Sequence, residues 1–140
     1  MIVFDTDVVT AISFGEGAAH RRVVSRLRQV EDEAVVTIIS FEEQARGWLS
    51  YISASKKVDR EIDGYRRLQN LIREYGEFDV LPYDEAAAEY FVRLRRSKVR
   101  IGTMDLKIAA IALANDAILA TLNTSDFRRV PGLKLLDFPS

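Results

Sequence analysis

The sequence predicts an α/β fold, a central parallel β-sheet of four to five strands with helices on both faces, and three observations carry that prediction. Short apolar, β-favouring runs alternate with helical stretches of about ten or more residues, which implies parallel pairing through crossover helices. Residues 104–114 are apolar at nearly every position with Ala interleaved, the pattern of a central helix packed closely on a sheet. With 140 residues, 48% of them hydrophobic and 29% charged, the chain suits one domain with a single core. No internal repeat, low-complexity tract or linker divides it.

Residues 1–4 are apolar and β-favouring and run straight into Asp5-Thr6-Asp7, so the chain opens on a central strand that delivers Asp5 to the carboxyl edge of the sheet. Residues 8–14 suit a short helix ended by Gly15 and Gly17. Residues 18–30 suit an amphipathic one with Val23, Val24, Leu27 and Val30 facing in, while His20 and the arginines 21, 22, 26 and 28 face mostly outward. A second strand is expected over 35–39, after which Ser40 begins a helix carrying Glu42, Glu43, Trp48, Leu49, Tyr51 and Ile52. Asp59 is expected to cap the next helix, which runs through Tyr65, Leu68, Leu71 and Ile72 to a stop at Gly76.

A third strand over 78–81 is closed by Pro82, and Asp84 caps a helix over 85–96. The basic connector Arg95-Arg96-Ser97-Lys98-Val99-Arg100 leads to Gly102 and Thr103, which open the apolar helix and leave Asp105 in its first turn. Asn115 and Asp116 end that helix, residues 117–121 form a strand, and the polar turn from Asn123 to Phe127 places Asp126 at that strand's carboxyl end. In open α/β sheets this is the edge where ligands bind. Pro131-Gly132 precedes a last strand near 133–136.

Composition narrows the chemistry. With 20 basic and 21 acidic residues there is no overall field to attract a polyanion, so any such ligand must be held locally. No cysteine, no apolar run near the ~20 residues of a membrane helix and no basic-then-apolar leader at the N-terminus are present, and a soluble cytoplasmic protein is expected. A His and Cys metal site or a Ser-His-Asp triad would have to be built on the single histidine, His20. Carboxylates are the remaining candidates.

Asp5, Asp105 and Asp126 are each placed by local pattern at a strand end or a helix's first turn, and Glu43 joins them if its helix starts at the same edge. Four converging acids repel one another, an arrangement that divalent cations make tolerable. All-oxygen ligands favour magnesium or manganese over zinc. Two such ions ~4 Å apart can activate a water and stabilise a leaving oxygen in phosphodiester hydrolysis. Each acid also has a structural explanation. Ser40-Phe41-Glu42-Glu43 is a capping box, Asp105 is favoured by the helix dipole, and Asp126 suits the cap of a short turn. Asp5, directly after a hydrophobic strand, is hardest to explain in that way. The basic residues 93, 95, 96, 98 and 100 could hold phosphates beside the acids or be solvated at a helix end. Trp48, Tyr51 and Ile52 suit either core or an apolar surface for a partner.

The segments IVFDTD, SFEEQARG, GTMDLKIAAIALAND and LATLNTSDFRRVPGLKLLDF, in that order, resemble PIN-domain proteins of the VapC type, the ribonuclease toxins of bacterial toxin-antitoxin pairs. The resemblance spans the whole chain as a single PIN domain. It implies a PIN-like fold, magnesium- or manganese-dependent endoribonuclease activity, a homodimer and a cognate antitoxin. By resemblance Asp5, paired with Thr6, takes the first acidic position. Glu43 takes the second, because the family's glutamate stands four residues before a glycine, here Gly47, although Glu42 next door keeps the choice open. Asp105 takes the third and Asp126 the fourth, with Thr121 and Asn123 as polar supports near the metal. Arg96, Lys98 and Arg100 become candidates for RNA contact, with single-stranded loops of structured RNA as targets. Trp48, Tyr51 and Ile52 become candidates for covering by the antitoxin.

Three alternatives remain. FDTDVVT also resembles the opening motif of haloacid-dehalogenase-type phosphatases, but no Asp-Asp pair occurs in the chain and its length leaves no room for a cap domain. A non-catalytic PIN-like binding module would be expected to lack one or more of the acids. The third is a housekeeping PIN nuclease in RNA maturation, over which a small antitoxin-like reading frame beside the gene would favour the toxin.

Overall fold

The computed structural model describes residues 1–138, and within them the sheet is parallel and five-stranded in the order β3-β2-β1-β4-β5. The strands are β1 (Ile2–Phe4), β2 (Ala34–Thr37), β3 (Asp79–Leu81), β4 (Ile118–Ala120) and β5 (Lys134–Leu136). The helices are α1 (Thr6–Phe14), α2 (Gly17–Arg28), α3 (Ile38–Ala54), α4 (Val58–Gly76), α5 (Glu85–Arg96), α6 (Thr103–Ala114) and α7 (Thr124–Phe127).

The register explains why the strands are apolar on both sides. Val3 pairs with Val35 and with Leu119, and these three point into one core layer with Phe91 and Leu94 of α5 and Leu106, Ile108 and Ile111 of α6. Ile2, Phe4, Val36 and Ala120 point to the opposite face, where α1 supplies Val8 and Val9, α2 Val23, and α4 Leu71 and Tyr75. Covered on both faces, parallel strands need apolar residues at successive positions rather than alternating ones. α6 is buried along most of its length, and its alanines 109, 110 and 112 let it lie close to the sheet.

From β1 the chain builds outward through β2 to β3, then crosses back to lay β4 on the other side of β1. The order therefore reverses between β1 and β4, and the crevice at their carboxyl ends is the topological switch point. Asp5 follows β1 directly and Thr121 follows β4, tied together by Asp5 N–H donating to Ala120 O at 3.1 Å.

Three local expectations are corrected. The second strand stops at Thr37, whose hydroxyl accepts from Ser40 N–H at 3.2 Å, so Ile38 and Ile39 are helical and Ser40 is not a cap. Their β-branched preference yields to that N-cap. Consequently the capping box does not form. Asp59 lies in the first turn of α4, with Lys57 at the N-cap, and gains from the helix dipole there without capping. His20 does not simply face outward, because its Nδ1 lies against Ala11 O in the last turn of α1, a carbonyl that also accepts from Gly15 N–H at 3.0 Å.

Candidate active site

The site is assembled from strand ends and helix starts around the switch point. Asp5 is 3% exposed and is the N-cap of α1, its Oδ1 accepting from Val8 N–H at 2.9 Å. Burial pushes its carboxyl up to about 7, against hydrogen bonds from the Thr121 side chain and Val8, with the charges of Asp7 and Asp105 pushing further upward. Thr121, wholly buried, also accepts from Asn123 N–H at 2.9 Å, so one hydroxyl links the first acid to the loop that carries the fourth.

Glu43 reaches the cluster from the second turn of α3. With Ser40 inside the helix rather than capping it, Glu43 is free of a capping role, and its Oε1 accepts from Thr6 Oγ1 at 2.7 Å. Thr6 Oγ1 also lies 3.0 Å from the buried Ser40 Oγ. Glu42 pairs with Arg46 one turn along. Of the two neighbouring glutamates, Glu43 is therefore the one brought to the acids.

Asp105, half-buried in the first turn of α6, has its carboxyl pushed up to about 6 by burial and by the charges of Glu43, Asp7 and Asp126. Asp126 lies within α7, where Oδ2 accepts from Asn123 Nδ2 at 2.9 Å and Oδ1 lies 3.9 Å from Arg129 Nη1. Asp105 thus feels the charges of Glu43 and Asp126 and adds its own to Asp5, which links all four sequence candidates at one end of the sheet. Among the described residues no three acidic or histidine side chains are close enough as placed to hold one ion. The oxygens of Asp5, Glu43 and Asp126 are turned toward a helix N-cap, a hydroxyl and an amide. The donors are nonetheless all oxygen and mutually repelling, the kind of set that suits a hard divalent cation once side chains rotate onto it.

Three participants escaped the sequence reading. Asp7 adds its charge to both Asp5 and Asp105. Ser40 backs Thr6. Arg129 lies beside Asp126 while donating to Arg100 O at 2.9 Å, which ties the basic connector to the rim of the acids. The second acid of the opening motif was the available signal for Asp7, and the three-residue spacing from Asp126 for Arg129.

Arg96, Lys98 and Arg100 are exposed in that connector, whereas Arg93 and Arg95 lie over Tyr90 and Phe91 of their own helix. Trp48, Tyr51 and Ile52 are partly buried. Trp48 meets Tyr51 edge-on at 5.7 Å, and Ile52 packs on Gly64 of α4. What remains open of them is a hollow of about 320 Å³ lined by Thr10, Gln44, Gly47, Trp48 and Tyr51. Gly47 also borders a second hollow, about 330 Å³, that contains Glu43 and Met104. An apolar surface therefore adjoins the acids.

Comparison with known proteins agrees with this layout. A family profile described as PIN domain matches residues 2–133. Ribonuclease VapC of Rickettsia bellii is 28% identical over 145 residues, covering 99% of this chain and 96% of the relative. Ribonuclease VapC1 of Rickettsia felis is 36% identical over 90 residues, 59% of this chain and 67% of that protein. In a toxin-antitoxin complex from Klebsiella pneumoniae, one chain superposes with a TM-score of 0.69 at 21% identity, over 97% of this chain and 96% of its own. With the profile spanning nearly the full length of a sheet that carries its acids at the switch point, this chain belongs to the PIN domain family.

Proposed function

We propose that the protein is a magnesium- or manganese-dependent endoribonuclease and the toxin of a toxin-antitoxin pair. The observation that carries this reading is the meeting of Asp5, Glu43, Asp105 and Asp126 at the switch point, with burial and mutual repulsion raising the carboxyls of Asp5 and Asp105. Relatives named as ribonucleases and a structural neighbour described as a toxin-antitoxin complex support it. One or two divalent ions, when bound, supply an activated water and charge stabilisation at the leaving oxygen.

The chain's own residues do the rest. The four carboxylates would hold the ions, Thr121 and Thr6 orient Asp5 and Glu43, and Asn123 orients Asp126. Arg96, Lys98 and Arg100, exposed in the connector before Asp105, would hold RNA phosphates. Hydrolysis by water leaves a 5′-phosphate and a 3′-hydroxyl, with no histidine required.

The antitoxin is assigned to the apolar hollow beside Trp48 and Tyr51, from which a basic side chain would reach Glu43. The protein is further proposed to act as a homodimer. No helix among the described residues is long and apolar enough to cross a membrane. Incubating purified protein with total RNA in manganese or in EDTA, with Asp5→Asn beside it, tests the reading. Cleavage confined to the manganese wild-type reaction is expected, and products ending in 2′,3′-cyclic phosphate would overturn the mechanism.

A further inference from the structure

α2 carries Arg21, Arg22, Arg26 and Arg28 and no acidic residue, in a protein whose net charge is −1. Helix energetics account for half of this. Arg26 and Arg28 in the last turn are favoured by the dipole, but Arg21 and Arg22 stand mid-helix, where it gives cations nothing. Acids beyond the helix end do not neutralise them either. Asp32 lies 3.9 Å from the chain's amino terminus, and Glu33 lies against the Asp79 carboxyl. Among the described residues none of these four arginines forms an ion pair.

Arg21 and Arg28 are two helical turns apart, roughly 10 Å along the axis, and so share one face. With them a hollow of about 610 Å³ is lined by His20, Val24, Ser25 and Gln29, which makes it wider than either hollow beside Glu43 and Trp48. The Ala11 carbonyl against Nδ1 holds the His20 ring in place at this hollow. Cations interspersed with neutral hydrogen-bonding groups, and a single aliphatic side chain among the lining, suit phosphates and ribose hydroxyls rather than an apolar partner.

We infer that the α2 face is a second RNA-backbone site, holding phosphates of a single-stranded segment away from the bond to be cut. Its biological role rests on the ribonuclease reading, but its binding does not. Such a site would compensate for the absence of a long-range attractive field by adding local phosphate contacts to those of the α5–α6 connector.

The test is fluorescence anisotropy of a labelled single-stranded RNA oligonucleotide in EDTA across a salt series, comparing wild type with the pairs R21Q/R28Q and R21K/R28K. Both positions stay helical in these exposed replacements, and melting temperatures check that. The Gln pair should lose about 1.4 from the slope of log affinity against log salt, about 0.7 for each phosphate released, while the Lys pair keeps the wild-type slope. In manganese, the Gln pair should raise KM for long RNA without changing kcat. Equal slopes for wild type and the Gln pair overturn the inference, and loss of polyglutamate binding alone in the Gln pair would reassign the face to an acidic protein. Because the slope is read without cleavage, the two readings fail separately. Slope loss in a protein that never cuts RNA sinks the ribonuclease and keeps this site, whereas cutting with an unchanged slope does the reverse.

Discussion

Thr6 and Glu43 meet between α1 and α3, where the threonine hydroxyl donates to Glu43 Oε1 at 2.7 Å. The contact joins the helix that follows β1 to the helix that follows β2, so two strand ends bring their acids together through one hydroxyl. Thr6→Val keeps the side chain's shape and removes the donor. It should lower RNA cleavage about 10- to 100-fold, the usual cost of losing a partner of a metal ligand, with a small change in melting temperature. Thr6→Ser should retain most activity, and a fully active valine variant would show that Glu43 needs no such orientation.

Metal should stabilise the wild type. At a hundredfold excess over its dissociation constant, manganese contributes about 2.7 kcal/mol by mass action. Asp105→Asn should lose most of that gain, yet be at least as stable as wild type in EDTA, because it relieves repulsion with Glu43, Asp7 and Asp126. Melting both proteins in EDTA and in manganese measures this. A less stable Asp105→Asn in EDTA, together with a wild type indifferent to manganese, would return Asp105 to a dipole-favoured helix residue.

The sign of the pH dependence follows from the same carboxyls. Asp5 rises from 3.8 to about 7 and Asp105 from 3.8 to about 6, so the folded protein holds these protons more tightly than the unfolded chain. Stability from them is complete below about 3.8 and is lost as pH rises through about 6 and then about 7. In EDTA, denaturant midpoints should fall across that window. Asp5→Asn, which can still cap α1 through its side-chain oxygen, should flatten the fall.

Replacing Arg96, Lys98 and Arg100 together by Ala should weaken RNA binding and reduce its salt slope by about 2, at about 0.7 per phosphate on a single strand. A slope equal to wild type would mark the connector as a solvated helix end.

Gly64→Ala tests the packing that holds α3 in place. A Cβ there would sit 2.5 Å from Ile52 Cγ1 and 3.0 Å from Tyr51 Cδ1. Overpacking of this kind costs about 1–3 kcal/mol, more than the ~1 kcal/mol gained from better helix propensity. A lowered denaturation midpoint is expected, restored when Ile52→Ala is added.

Much of this was legible in the chain because it is local. Asp84 as a cap, Asp105 in a first turn and Gly15 after a helix each depend on interactions within about four residues. Glu43 was not legible in the same way. The capping box beginning at Ser40 explained it equally well, until the strand was seen to end at Thr37 and Ser40 to lie inside the helix. Ile38 and Ile39 misled for a related reason, since β-branched residues serve equally in a strand and in the first turn beyond it.

By itself the sequence determined the alternation of strands and helices, the parallel sheet, and the delivery of Asp5, Asp105 and Asp126 to strand ends and helix starts. Hydrophobic period and capping chemistry are short-range properties, written in consecutive residues. The tertiary structure alone decided that Glu43 rather than Glu42 faces the other acids, that Arg129 ties Asp126 to the connector at Arg100, and that Asp5 is buried deeply enough to hold its proton near neutral pH. Those facts depend on the order β3-β2-β1-β4-β5, which sets side chains from distant segments against one another, and charge, burial and hydrogen bonding across such distances exist only once the sheet is assembled.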